Sequence, residues 1–266
     1  MLIVGEKINT SRKQVQEAVA RRDAGFIRDL ARRQFEAGAH YIDVNCGTFI
    51  SEEPELLSWL VREVQDELNN APLCIDSPNP KAVEAALKVH QGTPLLNSIT
   101  GEKERYEALE PLVVKYGCKI VVLCMDDESG IPRDAATRYQ IATRLIESLT
   151  AKGVKQEDIY VDPLIQPISV DTKNGLAAAE TIRMVKEKYP GVHAICGLSN
   201  ISFGLPERKL LNQAYMVVCT TYGLDAVILD PEDKMMMRLV YAVDALLNRD
   251  PYCGKYLRAY RSGLLK

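Results

Sequence analysis

Apolar residues along this chain fall into eight short runs, most ending in a carboxylate or a side-chain amide. They are LIVGEKIN (2–9), YIDVN (41–45), PLCIDS (72–77), PLLNS (94–98), KIVVLCMD (119–126), IYVDP (159–163), HAICGLSN (193–200) and LDAVILDP (224–231). Between them the spacing turns helical, over about 23–37, 54–69, 79–90, 103–116, 134–152, 175–188, 208–221 and 232–248. Short continuous apolar runs flanked by helices mark parallel strands buried on both faces. Eight such units in 266 residues predict a TIM (β/α)8 barrel, a single domain over 1–266, with its chemistry at the C-terminal strand ends.

Punctuation fits these boundaries. Gly38, Gly117 and Gly153 follow predicted helices where a left-handed C-cap is wanted, and Gly223 precedes the eighth strand in the same way. Asp134 and Ser51 are candidate N-caps. Phe26, Ile27, Leu30, Ala31 and Phe35 form the core face of the first predicted helix, and Trp59 is a packing or interface residue. The tail after 250 is expected to pack beneath the barrel or to join a dimer contact.

Composition narrows the function classes. A hydrophobic fraction of 47% suffices for a large core, and a net charge of −3 without a basic stripe argues against nucleic acid. No stretch nears the ~20 apolar residues of a membrane span, and MLIVGEKIN lacks the marks of a signal peptide. Seven cysteines without a CxxC pair point to a reducing cytoplasm rather than a disulfide framework.

The predicted barrel mouth collects Glu6, Asn9, Asp43, Asn45, Asp76, Asn97, Asp126, Asp162, Asn200 and Asp230. His40, His90 and His193 all map to the opposite, N-terminal side, so no histidine is placed to hold zinc and no metal is expected. The loops after strands seven and eight, GLSNISFG and LDPED, are not phosphate-binding, and Lys7, the one candidate for a Schiff base, neighbours Glu6, so covalent chemistry through lysine is not expected. Aspartates and asparagines suit a flat, donor-rich heterocycle instead. A carboxylate accepts two hydrogen bonds side by side from an amidine-like edge, and an amide both donates and accepts. An aspartate ending a strand can also merely cap the next helix, as Asp76 before SPNP could. Asp126 and Asp230 have no assigned role and are expected to be solvated.

CIDS (74–77), NSI (97–99), Met125 at the end of strand five, DPLI (162–165) and GLSN (197–200) resemble the pterin-binding barrel superfamily. From end to end, with DVNCG (43–47), SGIPRD (129–134), LSNIS (198–202) and YGLDA (222–226), the chain resembles the methyltetrahydrofolate:corrinoid (iron-sulfur) protein methyltransferases. The resemblance implies that Asp162 pairs with the pterin N3–H and 2-amino group, and that Asp76 and Asn97 address other ring nitrogens. It implies that Asn200 reaches N5, which bears the methyl group, with Gly197, Ser199 and Met125 lining the pterin. Glu6, Asn9, Asp43 and Asn45 would form a water-linked outer layer, and Arg208 would face the p-aminobenzoyl-glutamate tail or a partner protein.

Displacing a methyl group from N5 requires that nitrogen to be protonated or strongly hydrogen-bonded. With no histidine at the mouth, Asn200 is expected to stabilise protonated N5, and a water held by Asp43 or Asn45 to relay the proton. Tetrahydrofolate and its methyl form would be the substrates. The corrinoid would arrive on a partner protein, because the chain has no DxHxxG sequence. The family also implies a homodimer. A dihydropteroate-synthase-like enzyme would need a basic loop after strand two, where this chain has the acidic NCGTFISEEPE. A non-catalytic pterin-binding protein, or a barrel for another amidine-edged heterocycle, is the alternative in kind.

Overall fold

The computed structural model describes residues 1–266. Strands β1 (Leu2–Asn9), β2 (Tyr41–Asn45), β3 (Leu73–Asp76), β4 (Leu95–Gly101), β5 (Lys119–Asp126), β6 (Ile159–Asp162), β7 (His193–Ala194) and β8 (Ala226–Leu229) form one parallel sheet. The order is β7-β6-β5-β4-β3-β2-β1-β8. Its two edges meet, since Asp225 N–H donates to Ala194 O (3.3 Å) and Ile228 N–H to Cys196 O (2.9 Å). The sheet is therefore the closed eight-stranded barrel that the run pattern predicts.

Ten helices surround it: α1 (Lys13–Ala20), α2 (Ala24–Glu36), α3 (Glu53–Glu67), α4 (Pro80–Val89), α5 (Lys103–Tyr116), α6 (Ala135–Ala151), α7 (Asn174–Lys188), α8 (Arg208–Thr221), α9 (Lys234–Leu246) and α10 (Gly254–Arg261). No helix is long and apolar enough to cross a membrane. Strand alternation divides the apolar residues into two cores. Outward-facing side chains join the helices in the larger one. Val4, Tyr41, Cys74, Leu95, Val121, Tyr160, Ile195 and Ala226 form a separate buried plug, one residue from each strand or its extension. The carboxylates and amides at the inward-facing strand ends lie above this plug.

The floor uses the histidines. His40 Nδ1 accepts from Ile3 N–H (3.1 Å), and His90 Nε2 accepts from Leu73 N–H (3.3 Å). His193 pairs with Asp225 (3.0 Å) and stacks on Tyr160. The tail closes below them: α10 packs on α9, over a cavity of about 400 Å³ lined by Ile3, His40, Asp244 and Arg258.

Several boundaries differ from the sequence reading. Helix α1 was not predicted; its buried face is only Val15, Ala18 and Val19, too short a stripe to stand out. The seventh strand ends at Ala194, and residues Leu198–Ser202 wind into a 3₁₀ turn. Asp134 caps α6 as expected, accepting from Thr137 N–H (2.8 Å), but Ser51 caps nothing: α3 begins after Glu52 without a side-chain cap. Phe35, assigned to the core face of α2, is largely exposed, and Gln34 is the buried residue there. Trp59 packs under the guanidinium of Arg22.

Gln34 explains a bend in β1. The register of β1 against β2 gains one residue between Gly5 and Ile8, a β-bulge. Gln34 Oε1 accepts from Lys7 N–H in that bulge (2.9 Å), and a Cβ on Gly5 would lie 2.7 Å from the same oxygen. Only glycine admits the glutamine here. Lys7 is thereby held between Asp230 (3.1 Å) and Glu232, with Arg33 beside it, which ends its candidacy as a free amine.

Candidate active site

Strand register sets the mouth. Asp76 pairs in register with Asn97, Leu123 with Asp162, and Gly197 bridges Ile228. Inward positions of the ring thus read Glu6, Asp43 and Asn45, Asp76, Asn97, Leu123 and Met125, Asp162, Gly197, then Ile228 and Asp230. Apart from buried Asp43, all are partly accessible. Leu123 and Ile228, absent from the sequence-derived set, add apolar walls between the acids and amides. They were missed because strand interiors and site walls share one apolar signature.

Asp43 lies deepest, 3% exposed, and its Oδ1 has no hydrogen-bond partner. Burial, reinforced by the negative charge of Asp76, holds its carboxyl well above the usual range and favours the protonated form. Asn45 donates from Nδ2 to Asp76 Oδ2 (2.9 Å), while its own Oδ1 accepts from Gly47 N–H (3.0 Å). Burial lifts Asp76 to about 6 although Asn45 and Arg105 oppose the shift. Asp76 does not cap α4; Asn79 does, accepting from Lys81 N–H. Asp162 is lifted to about 7 by burial, against the opposing Leu164 N–H and the charge of Arg138. One Asp162 oxygen accepts from Leu164 N–H (2.8 Å), and the other stays unspent.

The side-chain amides of Asn97 and Asn200 make no hydrogen bond within the protein. Asn200 is exposed on the 3₁₀ turn over β7 rather than on a strand end. A Cβ on Gly197 would meet nothing within 4 Å, so bare backbone faces open space there. Ser199 reaches a cavity of about 180 Å³ with Glu6, Ile228 and Asp230. Arg208 does not extend freely; it donates to Ser199 O (2.7 Å) and Ser202 Oγ (3.1 Å), pinning the 3₁₀ turn. Asn9 is spent in the turn after β1, accepting from Ser11 N–H, and Glu6 pairs with Arg12 (2.8 Å).

Asp126 corrects the expectation of a solvated rim acid. It is 5% exposed, accepts from Ser129 N–H (2.8 Å) and is ion-paired with Arg144 outside the ring. Asp230, partly accessible, is held by Lys7. Three further residues went unnoticed in the sequence. Buried Glu53 accepts from Ser77 Oγ (2.6 Å) and Asn79 Nδ2 (3.1 Å), tying the β2 and β3 loops together. Arg105 donates to Ser98 O (3.0 Å) within the field of Asp76. Arg138 is wholly buried. Arg105 and Arg138 lie inside helical patterns and Glu53 in an acidic loop, places that read as solvated, so spacing gave no signal for any of them.

Acids and amides at this mouth can receive a planar ligand carrying adjacent N–H donors, with apolar walls for its faces. Residues 5–230 match the model of the pterin binding enzyme family. The chain is 37% identical over 264 residues to a methylcorrinoid:tetrahydrofolate methyltransferase of Eubacterium limosum, covering 99% of this chain and 97% of that protein. It is 30% identical over 253 residues to a methionine synthase of Mycobacterium tuberculosis, a match covering 90% of this chain and 21% of that protein. Among solved structures, a dihydropteroate synthase from Xanthomonas albilineans in complex with 7,8-dihydropteroate superposes with a TM-score of 0.70 at 17% identity, covering 92% of this chain and 93% of that one. At that identity the likeness carries the fold.

Proposed function

This chain belongs to the pterin-binding enzyme family, and from that premise we propose that it moves a methyl group between N5 of tetrahydrofolate and the cobalt of a corrinoid carried by a partner protein. One observation carries the reading: Asp76, Asn97 and Asp162 present unspent polar groups at one mouth, in a chain alike from end to end to a methylcorrinoid:tetrahydrofolate methyltransferase.

Asp162, ionised, accepts the paired N–H donors of the pterin amidine edge, a charge-assisted bidentate contact. Asp76 and Asn97 take further ring nitrogens, Gly197 leaves room for the ring, and Met125 with Leu123 covers an apolar face. Asn200 then meets N5. As the methyl carbon leaves for cobalt, N5 keeps the bonding electron pair, and the proton it carries must be held there. The Asn200 carbonyl accepts from that N–H, a contact strongest when N5 is charged. Asp43, protonated by its burial beside Asp76, is the local proton source, passing its proton through a water by Asn45. Arg208 serves indirectly by fixing the turn that carries Asn200. On the same resemblance the chain is a cytoplasmic homodimer.

An anaerobic mixture of the purified chain, methyltetrahydrofolate and free cob(I)alamin tests the reading. The expected outcome is protein-dependent conversion of the Co(I) spectrum to that of methyl-Co(III). Folate binding without transfer, to free cobalamin or to any corrinoid protein supplied, would make this a binding module instead.

A further inference from the structure

Arg138 is the largest fully buried side chain of the molecule, at 0% exposure, and its charge is unaccounted for. Its Nε donates to Pro132 O (2.9 Å), but neither Nη1 nor Nη2 has a hydrogen-bond partner. Arg249, partly buried, differs: it spends both Nη groups on the carbonyls of Leu224 (2.6 Å) and Thr220 (3.2 Å). Guanidinium does not deprotonate in proteins, so a buried one needs a compensating charge.

The ionisable groups whose charge reaches Arg138, none of them in ion-pair contact with it, come from four segments: Cys124 on β5, Tyr215 on α8, Asp134 before α6 and Asp162 at the end of β6. Cys124 and Tyr215 are held neutral by burial. Asp134 is exposed and spends both oxygens on Thr137, capping α6. Asp162 remains. It follows Val161 in register beside β5, where Leu123 adjoins Cys124, and it keeps one oxygen unspent. Burial raises Asp162, while the Leu164 N–H and the charge of Arg138 favour its ionised form, and the thiols of Cys124 and Cys196 in its field are neutral.

We propose that Arg138 is a positioning residue for the pterin pocket: from behind the barrel wall its charge keeps the Asp162 carboxylate ionised for the amidine edge of the substrate. The inference rests on the role given to Asp162 above. It adds a residue that touches neither pterin nor corrinoid, and it gives the buried cation a use.

Affinity for methyltetrahydrofolate, titrated from pH 5.5 to 9, tests it in the wild type, Arg138→Gln, Arg138→Lys, Asp162→Asn and the Arg138→Gln/Asp162→Asn double variant. The wild type should lose affinity on the acid side as Asp162 protonates. Arg138→Gln should move that limb upward by about one pH unit, an about tenfold loss below neutrality that vanishes near pH 9. Arg138→Lys keeps the charge and should restore most of the profile, and in the Asp162→Asn background Arg138→Gln should change nothing further. A loss equal at every pH, or one that persists without Asp162, would make Arg138 a packing residue and overturn the inference. Should Arg138→Gln not fold, infrared difference spectra of the wild-type complex against Asp162→Asn decide: a carboxylate band supports the inference and a protonated carboxyl band overturns it. A wild type that binds no methyltetrahydrofolate at any pH would overturn the functional reading, and this inference with it.

Discussion

Single side chains carry two opposed demands at this mouth, binding and stability. Asn200 spends none of its amide on the protein, so Asn200→Ala should leave folding intact. One charge-assisted hydrogen bond contributes about 1.5–3 kcal/mol, so its loss should slow methyl transfer by roughly ten- to a few-hundredfold, with a smaller effect on folate affinity. Single-turnover kinetics beside equilibrium binding would separate the two, and unchanged turnover would remove Asn200 from the mechanism. Asp76 shows the stability side. Its carboxyl titrates at about 6 in the fold and near 4 in an unfolded chain, so the folded state holds the proton more tightly. Its contribution is therefore greatest below about pH 4 and is lost as pH rises to about 6. Asp76→Asn, which keeps an acceptor for Asn45, should gain thermal stability over the wild type progressively between those values and level off above, while weakening folate binding. A gain that ignores pH would contradict the assignment. Residues with this double character were legible in the sequence, because a carboxylate or amide closing a buried strand has few other uses. Glu53, Arg105 and Arg138 were not, because what distinguishes them is burial created by tertiary packing.

Elements were easier to read where the apolar run was long. The eight strands and eight of the helices stand near their predicted places, since a run buried on both faces leaves no room for another period. Misreadings fall where a local rule met a tertiary one. GLSN continues an apolar run, yet winds into a 3₁₀ turn once Gly197 has made its last bridge, and this lifts Asn200 over the mouth. Phe35 follows the helical stripe, yet Gln34 is turned inward to fill the β1 bulge. That bulge is testable. Gly5→Ala would drive a methyl group into the glutamine amide and should destabilise the protein by about 1–3 kcal/mol. Denaturant unfolding reads the loss, and pairing the change with Gln34→Ala should recover part of it, because the clash goes with the amide.

At the scale of the whole molecule, the inner plug divides the barrel into a floor and a mouth that use their polar groups differently. His40, His90 and His193 are spent on backbone or on Asp225 below the plug, while Asp43, Asp162, Asn97 and Asn200 keep unspent capacity above it. The closure is uneven around the ring. β7 meets β6 through the pairs Tyr160↔His193 and Val161↔Ala194, and reaches β8 through isolated contacts, whereas β4 and β5 share a long ladder. Amide hydrogen exchange should follow that difference, with Ile195, Asp225 and Ile228 losing protection before Leu96 and Val121; uniform protection around the barrel would contradict it. A cylinder stitched lightly along one line behaves as a sheet with a seam. This seam lies directly under Asn200, so the residue assigned to the leaving nitrogen rides on the part of the wall that yields first, and heat should silence turnover some degrees before it melts the barrel.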